Sequence, residues 1–235
     1  VQPLNLAAMD ALYEGGTHER LTVVGSIKIP EMLSFLATHS TAGYVPGINN
    51  LLEGGYTLPD GSTALSADEK MVNGKKAITA LADFRRAKEE GDEASMQIAR
   101  SALKEYMPYF GYGYIQDKED LVPHVGLLFW SFRVMVGLGM YFILFFLVIL
   151  FLVWKKRLAE LNWLHWISLW SIPLAYIASQ AGWIVAEMGR QPWTIQDLLP
   201  VNAAVSKLET GSVQTTFFIF LIMFTVLLIA EIGIM

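Results

Sequence analysis

The chain has 235 residues, with 17 Lys and Arg against 22 Asp and Glu, a net charge of −5 and no cysteine. The missing thiols exclude a disulfide framework and any thiolate ligand or nucleophile, and the lack of a basic stripe to neutralise phosphates excludes a nucleic-acid partner. A hydrophobic fraction of 54% and a mean hydropathy of +0.41 place it with membrane proteins rather than soluble enzymes.

Charge, glycine and turn chemistry concentrate before about residue 120, whereas apolar runs long enough to span a bilayer, about 20 residues each, dominate beyond Leu121. The expected fold is all-α: a fragment of a transmembrane helical bundle with three spans, preceded by a large, mostly helical extramembrane segment over residues 1–122. The chain starts at Val1 without a signal peptide and stops at Met235 inside an apolar run, so it reads as an internal or C-terminal piece of a larger membrane protein.

In chain order, Pro3 to Glu14 reads as a helix, with Pro3 suited to its first turn and Gly15-Gly16 to its end. Val23 to Ile48, broken by Pro30, Gly43, Pro46 and Gly47, reads as short helix and loop pieces. Asn50 to Gly74 is rich in turn residues and reads as exposed loop. Lys76 to Met107 has a charged helical pattern interrupted at Gly91, a solvated helix pair with Leu81, Phe84, Ile98 and Leu103 kept for burial. Tyr106, Tyr109, Phe110, Tyr112 and Tyr114 come next, an aromatic cluster expected to form an interfacial belt.

The spans are expected over residues 123–154, 163–188 and 213–235, with connecting loops over 155–162 and 189–212. Lys155, Lys156 and Arg157 lie in the first link, which the positive-inside rule makes cytoplasmic. The N-terminal segment and the loop after the second span then lie on the outer, periplasm-like face. The third span then returns to the cytoplasm.

Ionisable groups at membrane depth are the strongest functional signal, because burying them in lipid is costly. Glu187 and Arg190 sit three residues apart at the end of the second span, in the run Trp183-Ile184-Val185-Ala186-Glu187-Met188-Gly189-Arg190-Gln191-Pro192-Trp193. They read either as a neutralised structural pair, or as a carboxylate able to ligate iron beside a guanidinium able to hold a haem propionate. Arg133 stands about 12 Å into the first span and needs a partner. Met135 beside it is ordinary lipid or core filler on its own, but next to a buried Arg it becomes a candidate axial haem ligand. Both Met135 and Glu187 fall near the outer ends of their helices, so the sites they serve are expected at one membrane depth. The four histidines, His18, His39, His124 and His165, are scattered and read as surface or interfacial residues. Glu231 lies within the third span and serves either proton supply or helix pairing.

The Gly189-Arg190-Gln191-Pro192-Trp193 motif after Gly182-Trp183-Ile184-Val185-Ala186-Glu187, with Phe132-Arg133-Val134-Met135 upstream, resembles the C-terminal half of subunit I of the cytochrome bd quinol oxidases. The resemblance extends to Gln2-Pro3, Leu6-Ala7-Ala8-Met9, Ile27-Lys28-Ile29-Pro30, Leu36-Ala37-Thr38 and Gly111-Tyr112-Gly113, and so covers nearly the whole chain. It implies that Met135 is an axial ligand of the low-spin haem b558, with Arg133 beside that haem. Glu187 would ligate the high-spin haem b595 in a di-haem site with haem d, flanked by Trp183 and Arg190. The histidine partner of Met135 and the histidine ligand of haem d are implied upstream of Val1.

Residues 1 to about 120 match the outward-facing quinol-binding loop and the segment after it. There the chain departs from the family: Asn5 stands where Lys is usual, and Asp10 replaces Glu, keeping an acceptor one methylene shorter that can take a quinol proton. The resemblance further implies ubiquinol or menaquinol and O2 as substrates, a proton-motive force built without pumping, and a second subunit, a small accessory subunit and membrane lipid as partners. The fragment alone is expected to be inactive. The rival reading is a transporter or channel subunit with an outer domain, its polar path lined by Arg133, Glu187, Arg190 and Glu231.

Overall fold

The computed structural model describes residues 3–24, 27–157, 161–206 and 208–234. Gln2 of the family-like start and Met235 lie outside them. Two compact units are present, Val1–Ala203 and Ala204–Met235.

Helix α1 (Pro3–Asp10) is shorter than expected. It stops because Ala11 turns left-handed, at φ 52°, and the Ala11 and Leu12 N–H groups donate back to the carbonyls of Ala8 and Ala7. Val23 to Ile48 holds a hairpin that the broken apolar pattern did not reveal. Strand β1 (Leu21–Val24) pairs antiparallel with β2 (Ile27–Ile29), Leu21 opposite Ile29. A short helix α2 (Met32–Thr38) lies next, between two left-handed residues, Glu31 and His39.

The stretch expected as loop from Asn50 to Gly74 is partly helical. It contains most of α3 (Ile48–Glu53) and the start of α4 (Ala67–Glu90). Ser66 caps α4 by accepting the Glu69 N–H, while the Glu69 carboxylate accepts the Ser66 N–H, the reciprocal box that fixes a helix start. Helix α4 ends at Gly91, left-handed at φ 72°, and α5 (Glu93–Tyr106) begins at once under an Asp92 cap, so the helix pair broken at Gly91 is observed. Its buried face is smaller-grained than expected. Ala67, Met71, Gly74, Ala77, Ala80, Ala87 and Ala99 are buried, Leu81, Phe84 and Leu103 are half-buried, and Ile98 is 71% exposed.

Small residues are required because a 3-10 segment, Met107–Tyr114, lies directly on α4. A Cβ on Gly74 would come within 2.3 Å of the Gly113 nitrogen. That approach carries Tyr112 into the protein interior, so the aromatic cluster is only partly peripheral. Two apolar clusters form the core of this segment, one of Ala67, Met71, Ile115, Leu121 and Trp193, the other of Ala7, Ile48 and Leu51, with Leu4 and Leu52 packed against both.

Among the described residues, three helices are long and apolar enough to cross a membrane. They are α6 (Val125–Trp154), α7 (Asn162–Gly189) and α8 (Thr210–Ile234). The His124 ring caps α6 by accepting the Leu127 N–H at 3.1 Å. Within the first unit α6 and α7 pack side by side, linked by a Tyr141–Ser171 hydroxyl contact of 2.8 Å. Helix α1 lies against both. After α7, strands β3 (Trp193–Ile195) and β4 (Leu199–Pro200) form a small hairpin. Helix α8, in the second unit, buries none of its described residues and exposes Glu231.

Candidate functional site

The end of the α6–α7 pair nearest the extramembrane segment gathers most of the candidates. Met135, half-buried on α6, lays its thioether over Gly182 of α7, and a Cβ there would sit 3.1 Å from Met135 Sδ. Glycine at 182 therefore sets how closely the sulfur can approach the neighbouring helix. Five residues further along α7, roughly 8 Å at the helical rise, comes Glu187. The two candidate ligands are thus on one helix pair but offset in height.

Glu187 and Arg190 form an ion pair through Glu187 Oε2 and Arg190 Nη2, with side chains 39% and 50% exposed. One carboxylate oxygen is engaged, and the other has no hydrogen-bond partner among the described residues. Trp183 is exposed on the same helix. The pair projects from α7 rather than being sealed in a core, so a ligand has access to it.

Arg133 has a different setting. Its partner is Asp10, at 2.8 Å, with the two side chains only 7% and 3% exposed. The guanidinium carries five N–H groups. They go to the Val23 carbonyl, the Met9 and Phe129 carbonyls, the Asp10 carboxylate and the Thr22 carbonyl. No donor is left for a haem propionate. Arg133 instead ties the end of α1 and strand β1 to α6. Asp10 is also fully engaged, accepting from the Thr22 N–H and hydroxyl as well as from Arg133. Burial pushes its carboxyl above the ordinary range, and the hydrogen bonds from Thr22 and Arg133 pull against that.

Asn5 lies on α1 with its amide flat against Gly189, where a Cβ would meet Asn5 Oδ1 at 2.1 Å. Its Oδ1 is buried without a partner among the described residues. The position expected to contact quinol is thereby brought to the last residue of α7, beside Arg190. Asn5 thus lies against the last residue of α7 beside the Glu187–Arg190 pair, and Asp10 binds Arg133, two residues before Met135 on α6.

The hairpin after α7 holds residues that sequence reasoning used only as a motif. Trp193 is 1% exposed in the extramembrane core and meets the Tyr112 ring edge-on at 4.9 Å. The Tyr112 hydroxyl donates to Asp197 Oδ1 at 2.6 Å. Lys70 faces the Tyr112 ring at 5.7 Å, and these groups border a cavity of about 150 Å³ with Tyr56 and Gln196. Burial lowers the Lys70 ammonium from its usual range while Asp197 opposes the shift. A buried Trp flanked by Gly-Arg-Gln-Pro was the available signal for this anchor.

None of the histidines joins the site. His18 pairs with Glu31 at 3.1 Å, His39 ends α2, His124 caps α6 and His165 is exposed on α7. Among the described residues no three His, Asp or Glu side chains converge as a metal cage. A thioether such as that of Met135 and the unpaired carboxylate oxygen of Glu187 would each be chemically able to hold a haem iron, with Arg190 and Trp183 alongside. Arg133 does not present a group to it.

Among the described residues, three long apolar helices, two of them packed side by side, define a helical membrane protein. The chain belongs to the family described as cytochrome bd terminal oxidase subunit I, whose model it matches over residues 1–235. It is 33% identical over 252 residues to the cytochrome bd-II ubiquinol oxidase subunit 1 of Escherichia coli K12, covering 100% of this chain and 48% of that protein. The cytochrome bd ubiquinol oxidase subunit 1 of Bacillus subtilis 168 is 34% identical over 71% of this chain and 34% of its own length. The bd oxidase structure from Geobacillus thermodenitrificans shares the fold, with a TM-score of 0.54 at 23% identity over 100% of this chain and 41% of that one. The chain thus spans about half the length, or less, of the relatives it matches.

Proposed function

We propose that the chain is the C-terminal half of the haem-carrying subunit of a quinol:oxygen oxidoreductase in a bacterial inner membrane. The observation that carries this reading is the placement of Met135 against Gly182 and of the Glu187–Arg190 pair one and a half turns away on the same helix, in a chain of the bd family. When bound, a low-spin haem b at Met135 and a high-spin haem b with haem d at Glu187 supply the electron transfer and the reduction of O2 to water. The chain's own residues orient and bind. Met135 offers a neutral soft donor, while Glu187 offers a carboxylate oxygen whose charge Arg190 balances. Trp183 covers the adjoining face.

The extramembrane segment, residues 1–122, lies on the periplasmic side in this reading and receives ubiquinol or menaquinol. Asn5 borders that region with its buried Oδ1 packed on Gly189, and Asp10 holds the floor through Arg133 rather than taking the proton directly. Protons released there and taken up from the cytoplasm build a proton-motive force. A second subunit, a small accessory subunit and lipid cover the exposed apolar faces of α6 and α7.

The test is a reduced-minus-oxidised absorption spectrum of the full-length parent protein in membranes, wild type beside Met135→Leu. Loss of the low-spin haem b band alone is the expected result. A wild type without any haem signal would overturn the reading in favour of a transporter or channel subunit.

A further inference from the structure

We propose that Tyr112 and Asp197 are positioning residues for the Glu187–Arg190 pair, clamping the loop that leaves α7 onto the extramembrane segment. The inference rests on the reading of Glu187 as an iron ligand. Nine residues lie between Glu187 and Asp197, and the path between them is held at successive points. The Gln191 N–H donates to the Met188 carbonyl, the Trp193 N–H donates to the Arg190 carbonyl at 2.9 Å, and the Trp193 ring is buried between α4 and the 3-10 segment. Displacing Trp193 or Asp197 would therefore pull on the backbone of Arg190 itself.

Asp197 is the tightest of these points. It is in the left-handed region, at φ 60°, a conformation that Asp tolerates better than most residues and that its contacts hold here. Its carbonyl accepts the Gly111 N–H at 2.9 Å, and its carboxylate accepts the Tyr112 hydroxyl at 2.6 Å and the Gln196 amide at 2.9 Å. Gly111 has to be glycine for this. An added Cβ would lie 2.6 Å from both the Asp197 carbonyl oxygen and the Trp193 ring. Burial and the neighbouring Asp197 charge push the Tyr112 hydroxyl far above its usual range, so it stays a donor. The Tyr112 hydroxyl thus ties the 3-10 segment to a carboxylate 85 residues away in the chain.

The test compares wild type, Tyr112→Phe and Asp197→Asn in the full-length parent complex in membranes. Amide hydrogen exchange is read over residues 187–198, and both haem b signals are titrated for midpoint potential. Tyr112→Phe should speed exchange in that window by about ten- to a hundredfold, the weight of a hydrogen bond to a charged acceptor. It should also shift the high-spin haem potential and leave the low-spin haem at Met135 where it was. Asp197→Asn keeps an acceptor and should fall between Tyr112→Phe and wild type.

Unchanged exchange overturns the clamp, and faster exchange with an unmoved high-spin potential overturns the positioning role. An equal shift of both haems does so as well. If Tyr112→Phe does not assemble, Asp197→Gly deletes the acceptor while keeping the left-handed backbone and carries the same expectations. A wild type without haem sinks the proposed function instead, and exchange at Glu187 to Gln191 alone then decides whether the clamp holds the pair.

Discussion

Arg133 brings a positive charge into an apolar helix and answers it with five acceptors, four of them from the extramembrane segment or its own preceding turn as backbone carbonyls. Taking both charges out of water is costly, so the Asp10–Arg133 pair is weak evidence for stability; breaking it is another matter, because the survivor stays buried and unpaired. Arg133→Leu should therefore lower the stability of the detergent-solubilised parent by about 3 kcal/mol, and Asp10→Leu by a similar amount. The double variant should recover most of that loss. Thermal unfolding of the four proteins measures the coupling, and additive losses would show that the two groups act separately. The sequence announced Arg133 as a charge in need of a partner. It could not name Asp10, because a contact across 123 residues leaves no trace in local periodicity.

Elements were legible where one segment carries its own instructions. The three spans follow from length and apolarity, and the α4–α5 break follows from Gly91 and Asp92. The start of α4 was also written in the chain, as Ser66 with Glu69 three residues on, but the neighbouring turn residues masked it. The β1–β2 hairpin was hidden because its strands are only three or four residues long, β2 is exposed throughout, and β1 is tied to α6 by Arg133 hydrogen bonds that leave no local pattern. The caps give a prediction at this scale. Asp92 accepts the Ala94 and Ser95 N–H groups and the Ser95 hydroxyl, and these bonds hold its carboxyl below the usual range, as the bonds from Ser66 do for Glu69. A carboxylate lowered by folding stabilises the helix above its unfolded pKa and loses that contribution as pH falls through the folded value. The protection of α5 amides, taken relative to the intrinsic exchange rate at each pH, should therefore fall on acidification below about pH 4, the ordinary range for these groups. Asp92→Asn retains a capping side chain and should flatten that pH response, whereas Asp92→Ala should speed exchange at neutral pH as well.

At the scale of the molecule, orientation in the membrane decides which face the N-terminal segment meets, and in the proposed function that is the face that receives quinol. Lys155, Lys156 and Arg157 stand together in a short link, whereas the longer loop over 189–212 carries only Arg190 and Lys207, and Arg190 is paired with Glu187. Cations in short loops set orientation, while a long segment such as residues 1–122 follows its neighbours across. The α6–α7 link should thus face the cytoplasm. With no cysteine in the chain, single replacements report sides directly. In a cysteine-free parent, Glu90→Cys on α4 should react with a membrane-impermeant maleimide added to intact spheroplasts, and so should Glu209→Cys just before α8. Lys155→Cys should react only after the membrane is opened. The opposite pattern would turn the molecule over, and with it the Asn5 end of α1 and the Glu187–Arg190 pair, so that quinol would have to be oxidised from the cytoplasmic face and its protons would build no gradient. Labelling of Glu209→Cys on the opposite side from Glu90→Cys would mean that α7 does not cross, and the shared helix pair on which both candidate iron ligands stand would have to be given up.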